Sequence, residues 1–165
     1  MLDYNQQKNI LKGFESFLKE FKFDYYWVDV LLSEKTTKPI LLLHYLYNDL
    51  EFDTTISVNS FEGIEDWISI SCYAFDLIEA DNDKKLNQLL RIALETNFIL
   101  PETTFGLFDD RYLYILGDLP LNATKSDFEF EINGINAGLN MLFDKLSSLG
   151  YKLDPTKGKL PIKKA

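Results

Sequence analysis

The sequence predicts an α+β fold in which an antiparallel meander sheet of about five to six strands is flanked by three helices, in the order α-β-β-β-(β)-α-β-β-α. Two patterns carry this prediction. Three segments repeat their apolar residues every three or four positions, the period of a helix face; the stretches between them alternate apolar and polar residues and are rich in aromatic and β-branched types. The links between the early strand-like segments are too short for a crossover helix, so neighbouring strands have to run antiparallel. With 165 residues, 46% of them hydrophobic, the chain has the size of one well-buried domain. That domain is expected over residues 1–150, and residues 151–165 are expected to form a loose tail with too little apolar content to order itself.

The elements follow in order. From Tyr4 to Phe21, Ile10, Leu11, Phe14, Phe17, Leu18 and Phe21 share one helical stripe. Lys8, Lys12, Glu15, Lys19 and Glu20 mark the solvated side, with Glu15 and Lys19 in the favourable i,i+4 order. Asp24 to Ser33 and Pro39 to Tyr47, joined by the polar link Glu34 to Lys38, read as a strand hairpin. A third strand over Phe52 to Phe61 alternates Phe52, Thr54, Ile56 and Val58. The turn signal Glu62-Gly63 then leads to a fourth through Trp67, Ile68, Ile70, Cys72, Tyr73 and Phe75.

Asp81, Asn82 and Asp83 offer caps to a second helix that carries Leu86, Leu89, Leu90, Ala93 and Leu94 on one stripe. Asn97 suits a left-handed exit, and Pro101 blocks continuation. Thr103 to Phe108 and Arg111 to Leu116 flank Asp109-Asp110 as a tight two-residue hairpin. Beyond Pro120, Ser126 and Glu129 form a capping box ahead of Phe128, Ile132, Ile135, Leu139, Leu142, Leu146 and Leu149, a long last helix that Gly150 ends.

Charge and composition narrow the function classes. Twenty-six acidic residues against 17 basic ones give a formal charge of -9, which repels nucleic acid and anionic membrane alike. No apolar run approaches the ~20 residues of a spanning helix. Met1 to Gln7 holds no basic stretch leading into an apolar one, so the expectation is a cytoplasmic chain without an export signal. The lone Cys72 agrees with a reducing compartment and, in its alternating strand, reads as a small buried thiol.

Little is present from which to assemble a reaction centre. No catalytic residue, metal site or cofactor is expected. His44, the single histidine, lies within Leu41 to Tyr47 as a strand residue with no orienting carboxylate or nucleophile nominated by the order of the chain. Glu79 to Asp83 resembles the start of a calcium loop but has neither the central glycine nor the terminal glutamate, and helix capping explains it. Asp109 and Asp110 at a hairpin tip stay solvated and ionised, which does not suit acid catalysis.

Two features point to contact with a partner instead. Gly134 and Gly138, four apart inside the last helix, imply a close approach, either to the chain's own sheet or to another chain. Strand aromatics are numerous, and Tyr26, Tyr45, Tyr47, Trp67 and Tyr73 are the candidates for a sheet face that grips a polypeptide, since tyrosine and tryptophan serve where apolar contact and hydrogen bonding are both needed.

The leading amphipathic helix, the antiparallel meander, Leu86-Asn87-Gln88-Leu89-Leu90, the hairpin from Phe105 to Leu116 and the long final helix together resemble the type III secretion chaperones and the related YbjN-like proteins of bacteria, cyanobacteria and archaea. The resemblance runs from Tyr4 to Leu149, and a meander one strand longer than in the short chaperones favours the YbjN-like branch. It implies a small acidic cytoplasmic protein that handles other polypeptides without chemistry, often as a homodimer, with no catalytic residues to carry over. The competing expectation is a small-molecule or nucleotide-binding regulatory domain whose pocket, between the last helix and the sheet, uses Arg111, Tyr112 and Trp67 as anchors.

Overall fold

Nine elements follow one another in the computed structural model, which describes residues 2–33, 36–47, 50–76, 83–100 and 103–150, apart from the side chains of Tyr45, Leu46, Tyr47, Leu50, Asp83 and Lys85. They are α1 (Tyr4–Glu20), β1 (Asp24–Ser33), β2 (Thr36–Tyr47), β3 (Leu50–Asn59), β4 (Trp67–Asp76), α2 (Asp83–Asn97), β5 (Thr104–Phe108), β6 (Tyr112–Pro120) and α3 (Lys125–Ser148). The expected α+β class and element order are what the chain adopts. The expected tail, and Glu79 to Asn82 of the supposed calcium-loop start, lie outside the described residues.

All six strands form one antiparallel sheet in the order β1-β2-β3-β4-β6-β5. The first four make a meander. Helix α2 then carries the chain past the edge, so that β6 returns beside β4 and β5 becomes the outer strand. Asp109 and Asp110 both take positive φ, 54° and 49°, and Phe108 O accepts from Arg111 N at 3.1 Å, the backbone of a tight hairpin turn.

Strand alternation decides where the helices sit. Leu41 and Leu43, Phe52, Ile56 and Val58, Ile68, Ile70 and Cys72, and Leu113, Ile115 and Leu119 share one side with the buried stripes Leu11, Phe14 and Leu18 of α1 and Ile135, Leu139, Leu142 and Leu146 of α3. Phe128 closes this core at the end of α1, its ring 6.0 Å from Phe14 and 5.9 Å from Phe21. The opposite side of the sheet carries Tyr26, Val28, Leu42, His44, Asp53, Trp67, Tyr73, Tyr112, Tyr114 and Asp118, and none of the three helices packs on it.

Three local expectations are corrected. Helix α3 is capped by Thr124 rather than Ser126. Asp127 Oδ2 accepts from the Thr124 backbone N–H at 2.7 Å and from its hydroxyl at 2.8 Å, and these bonds hold the Asp127 carboxyl below the usual carboxylate range. Asn97 does not leave α2 through a left-handed residue, because positive φ outside glycine occurs, among the described residues, only at Lys22, Asp109 and Asp110. Leu94 lies off the buried stripe of α2, which is formed by Leu89, Ala93 and Thr96.

The helix glycines separate by their surroundings. A Cβ on Gly138 would stand 3.1 Å from Ile115 Cδ1 and 3.4 Å from Leu100 Cδ1, whereas one on Gly13, exposed in α1, meets nothing within 4 Å. In urea denaturation, Gly138→Leu is expected to lose about 1–3 kcal/mol through overpacking, and Gly13→Ala to gain roughly 0.5–1 kcal/mol through helix propensity. Equal effects at the two positions would refute the close packing of α3.

Candidate interaction surfaces

The aromatic residues singled out in the sequence divide between the two sides of the sheet. Tyr25 and Trp27 turn to the helix side, where both donate to Glu15 Oε1 of α1 at 3.1 Å. Tyr26, between them, faces away, 42% exposed, with its ring edge-on to His44 at 4.9 Å. Trp67 sits at the opposite end of the same face, where its indole N–H donates to Asp118 Oδ1 at 3.0 Å and its ring meets Phe61 at 5.8 Å.

Tyr73 does not present its ring to a partner. It is 2% exposed, wedged between Tyr112 at 5.7 Å and Tyr114 at 5.6 Å, and burial raises the pKa of its hydroxyl. The side chains of Tyr45 and Tyr47 lie outside what the structure describes; their backbones pair with Phe52 and Leu50. Gly134 and Gly138 approach the chain itself. Thr103 covers Gly134, and Ile115 and Leu100 cover Gly138, so the account in which the helix lies on its own sheet explains both.

The β2–β3 register brings His44 opposite Asp53, a proximity that the order of the chain hides. Its Nδ1 stands 3.0 Å from Asp53 Oδ1 and 3.2 Å from Glu51 Oε1. The sheet itself separates this imidazole from Cys72, which points into the helix-side core. Burial pushes the Cys72 thiol up to about 12, with Asp53 adding to the rise and a Thr54 hydrogen bond opposing it.

The anchors of the expected small-molecule pocket do not converge. Trp67 pairs with Pro120 and Asp76 with Tyr112, which sets Trp67 and Tyr112 about 27 Å apart at ~3.4 Å per residue, and both on the side away from α3. Arg111 is engaged by Asp76 through two nitrogens, Nε at 2.9 Å and Nη2 at 2.7 Å, while its guanidinium lies over the Tyr112 ring at 4.8 Å.

Sequence reasoning missed a group of exposed apolar residues. Leu94 (71%), Phe98 (94%), Ile99 (66%), Leu107 (46%) and Phe108 (65%) lie at the end of α2, just past it, and along β5. Phe130 (50%) is one helical turn from Gly134, the residue covered by Thr103 just before β5. The available signal was Phe98-Ile99-Leu100 directly after a helix, a run of which only Leu100 is buried. Beside it, Asn97 folds its amide onto β5, with Nδ2 donating to Phe105 O at 3.0 Å and Oδ1 accepting from Phe105 N.

Cys72 provides a check on the sheet's closed side. Native protein at pH 8 is expected to react with a disulfide reagent only through unfolding, at less than about a hundredth of the rate in denaturant. Because the folded pKa is raised, the associated stability is complete below the ordinary thiol value and fades as pH climbs from about 9 toward about 12. Rapid native labelling would contradict the packing of β4. No protein-family model matches this chain, and no curated protein sequence matches it.

Proposed function

We propose that this chain is a non-catalytic polypeptide-binding module, chaperone-like or adaptor in character, acting in the cytoplasm and closest in kind to the YbjN-like and type III secretion chaperone-like proteins that its element order resembles. The observation that carries the reading is the exposed apolar surface of α2 and β5. Leu94, Phe98, Ile99, Leu107 and Phe130 leave on the order of 500 Å² of apolar side chain in water, taking ~200 Å² for a fully exposed aromatic ring, while Phe108 turns to the opposite face beside Tyr112 and Tyr114. A stable interface uses ~800 Å² per partner, and a large apolar patch on a globular chain marks a contact site. The partner it suits is an apolar stretch of polypeptide, and a second copy of this chain, giving a homodimer, competes for the same surface.

A small ligand is the second reading, favoured by a cleft of about 650 Å³ between the start of α1 and the ends of β1, β2 and β3. Leu32, Val58 and Phe61 supply its apolar wall. Asp3 and Asp29 outnumber Lys38 among its charged residues, which disfavours a nucleotide phosphate. A metabolite that raises the melting temperature would support this reading over the first.

The leading test uses a permanently unfolded, carboxymethylated polypeptide immobilised on a sensor. Wild-type protein is expected to be retained. Phe98→Asp and Leu94→Asp should each reduce retention about tenfold or more while shifting stability by less than about 0.5 kcal/mol, since both side chains stand in water. Unchanged retention by both variants would remove the α2–β5 surface from the function.

A further inference from the structure

The cleft between the start of α1 and the ends of β1, β2 and β3 has an unequal hydrogen-bonding capacity. Its donors are taken up by the protein. The Gln7 side-chain nitrogen donates to Leu2 O at 2.9 Å, the Leu2 backbone N–H to Ser60 Oγ at 2.7 Å and the Tyr4 hydroxyl to Asp29 Oδ1 at 2.8 Å. Acceptors remain. Gln7 Oε1 is buried without a hydrogen-bond partner among the described residues. The Leu2 carbonyl fixes which way that amide points, because turning it over would set oxygen against oxygen. An acceptor left unmet in this way is unfavourable, and a donor from outside the chain relieves it.

Charge decides the class of ligand. Lys38 borders the cleft, yet it pairs with Val30 and so points to the face away from α1, where its ammonium donates to Asn59 Oδ1 at 2.8 Å. Asp29, one residue before Val30, shares the helix side with Tyr25 and Trp27. Lys8 is the cation that feels Asp29, but its Nζ donates to the Tyr4 hydroxyl, at 3.1 Å. The positive end of α1 makes no demand for an anion either, since its cap Asp3 already accepts from Gln6 N at 2.9 Å. The helix side of the cleft thus offers a carboxylate and an unmet amide oxygen beside the apolar wall that includes Val58.

We propose that this cleft binds a small amine, an ammonium group carried on an apolar chain or ring. The ammonium donates to Asp29 and to Gln7 Oε1, and its apolar part lies against Val58 and the neighbouring wall. This assignment rests on the small-ligand reading of the cleft and names the chemistry of the ligand.

Three probes of nearly one shape test it: phenethylamine, phenethyl alcohol and hydrocinnamate, each titrated at neutral pH into the full isotope-labelled chain and followed by NMR. The amine should move the Gln7 side-chain amide resonance saturably and bind about tenfold more tightly than the alcohol, while the acid leaves that resonance in place. Added salt should weaken the amine. Asp29→Asn, at an exposed position, should cost about tenfold in amine affinity and leave alcohol binding unchanged. Asp24→Asn, also exposed, removes the same charge from the other end of β1 and should cost less than about twofold.

Amine binding that falls equally in the two variants, or that spares the Gln7 resonance, overturns the proposal. So does tighter binding of the alcohol or the acid at that resonance, which would keep a small-ligand cleft while losing the amine. If none of the three probes moves the resonance, the amine assignment and the small-ligand reading fall together. Retention of the carboxymethylated polypeptide through α2 and β5 is independent of all these outcomes.

Discussion

The fold depends on one constraint, the two-residue alternation of β2, β3, β4 and β6 held in a single register. Ile56 stands between Leu41 and Ile70, and Cys72 between Thr54 and Ile115, so four strands deliver their apolar residues to the same side. A slip of one residue in any ladder would send that strand's core residues to the opposite face and bring polar ones beneath the helices. Because each inner strand is fixed by two neighbours, the helices meet a single continuous apolar plane. Close contact becomes available where that plane admits it, as at Ile115 under Gly138 and at Gly117, where Glu131 of α3 fills the space a Cβ would need.

Placing all three helices on one side leaves the other face, among the described residues, to strand and loop side chains. It is not simply polar. Tyr73, Tyr112 and Tyr114 pack ring to ring, Trp67 is tied to Asp118, and Arg111 joins Asp76 to Tyr112. Each aromatic ring covers apolar area while its polar group finds a partner or water, and the nearly buried Leu42 and Ile40 of the same face lie opposite Tyr26 and Val28 of β1. The aromatic content that suggests a gripping surface in the sequence is thus spent in part on shielding the sheet itself.

Class, element order and most boundaries were legible because each rests on a local period. The alternation of Trp67 to Phe75 and the stripe of α3 need no knowledge of distant residues. What the sequence hid was set by pairing across the chain. Nothing local to His44 announces Asp53, and nothing local to Tyr73 announces that Tyr112 and Tyr114, about forty positions on, will bury it. Asn97 was read through the usual preference of asparagine for a helix exit; its role came instead from β5 passing within reach of its amide. The α3 cap shifted for a simpler reason, since Thr124 with Asp127 satisfies the same capping logic two residues earlier.

The neighbourhood of Asn97 shows why an exposed apolar surface need not cause indiscriminate self-association. Apolar side chains alone bring chains together loosely, and an unblocked strand edge converts such contact into extended sheet. Directly before Phe98 and Ile99, the Asn97 amide takes both backbone groups of Phe105 on β5, which shortens the stretch of that edge open to pairing. The net charge of -9 further disfavours edge-to-edge growth between copies of the chain.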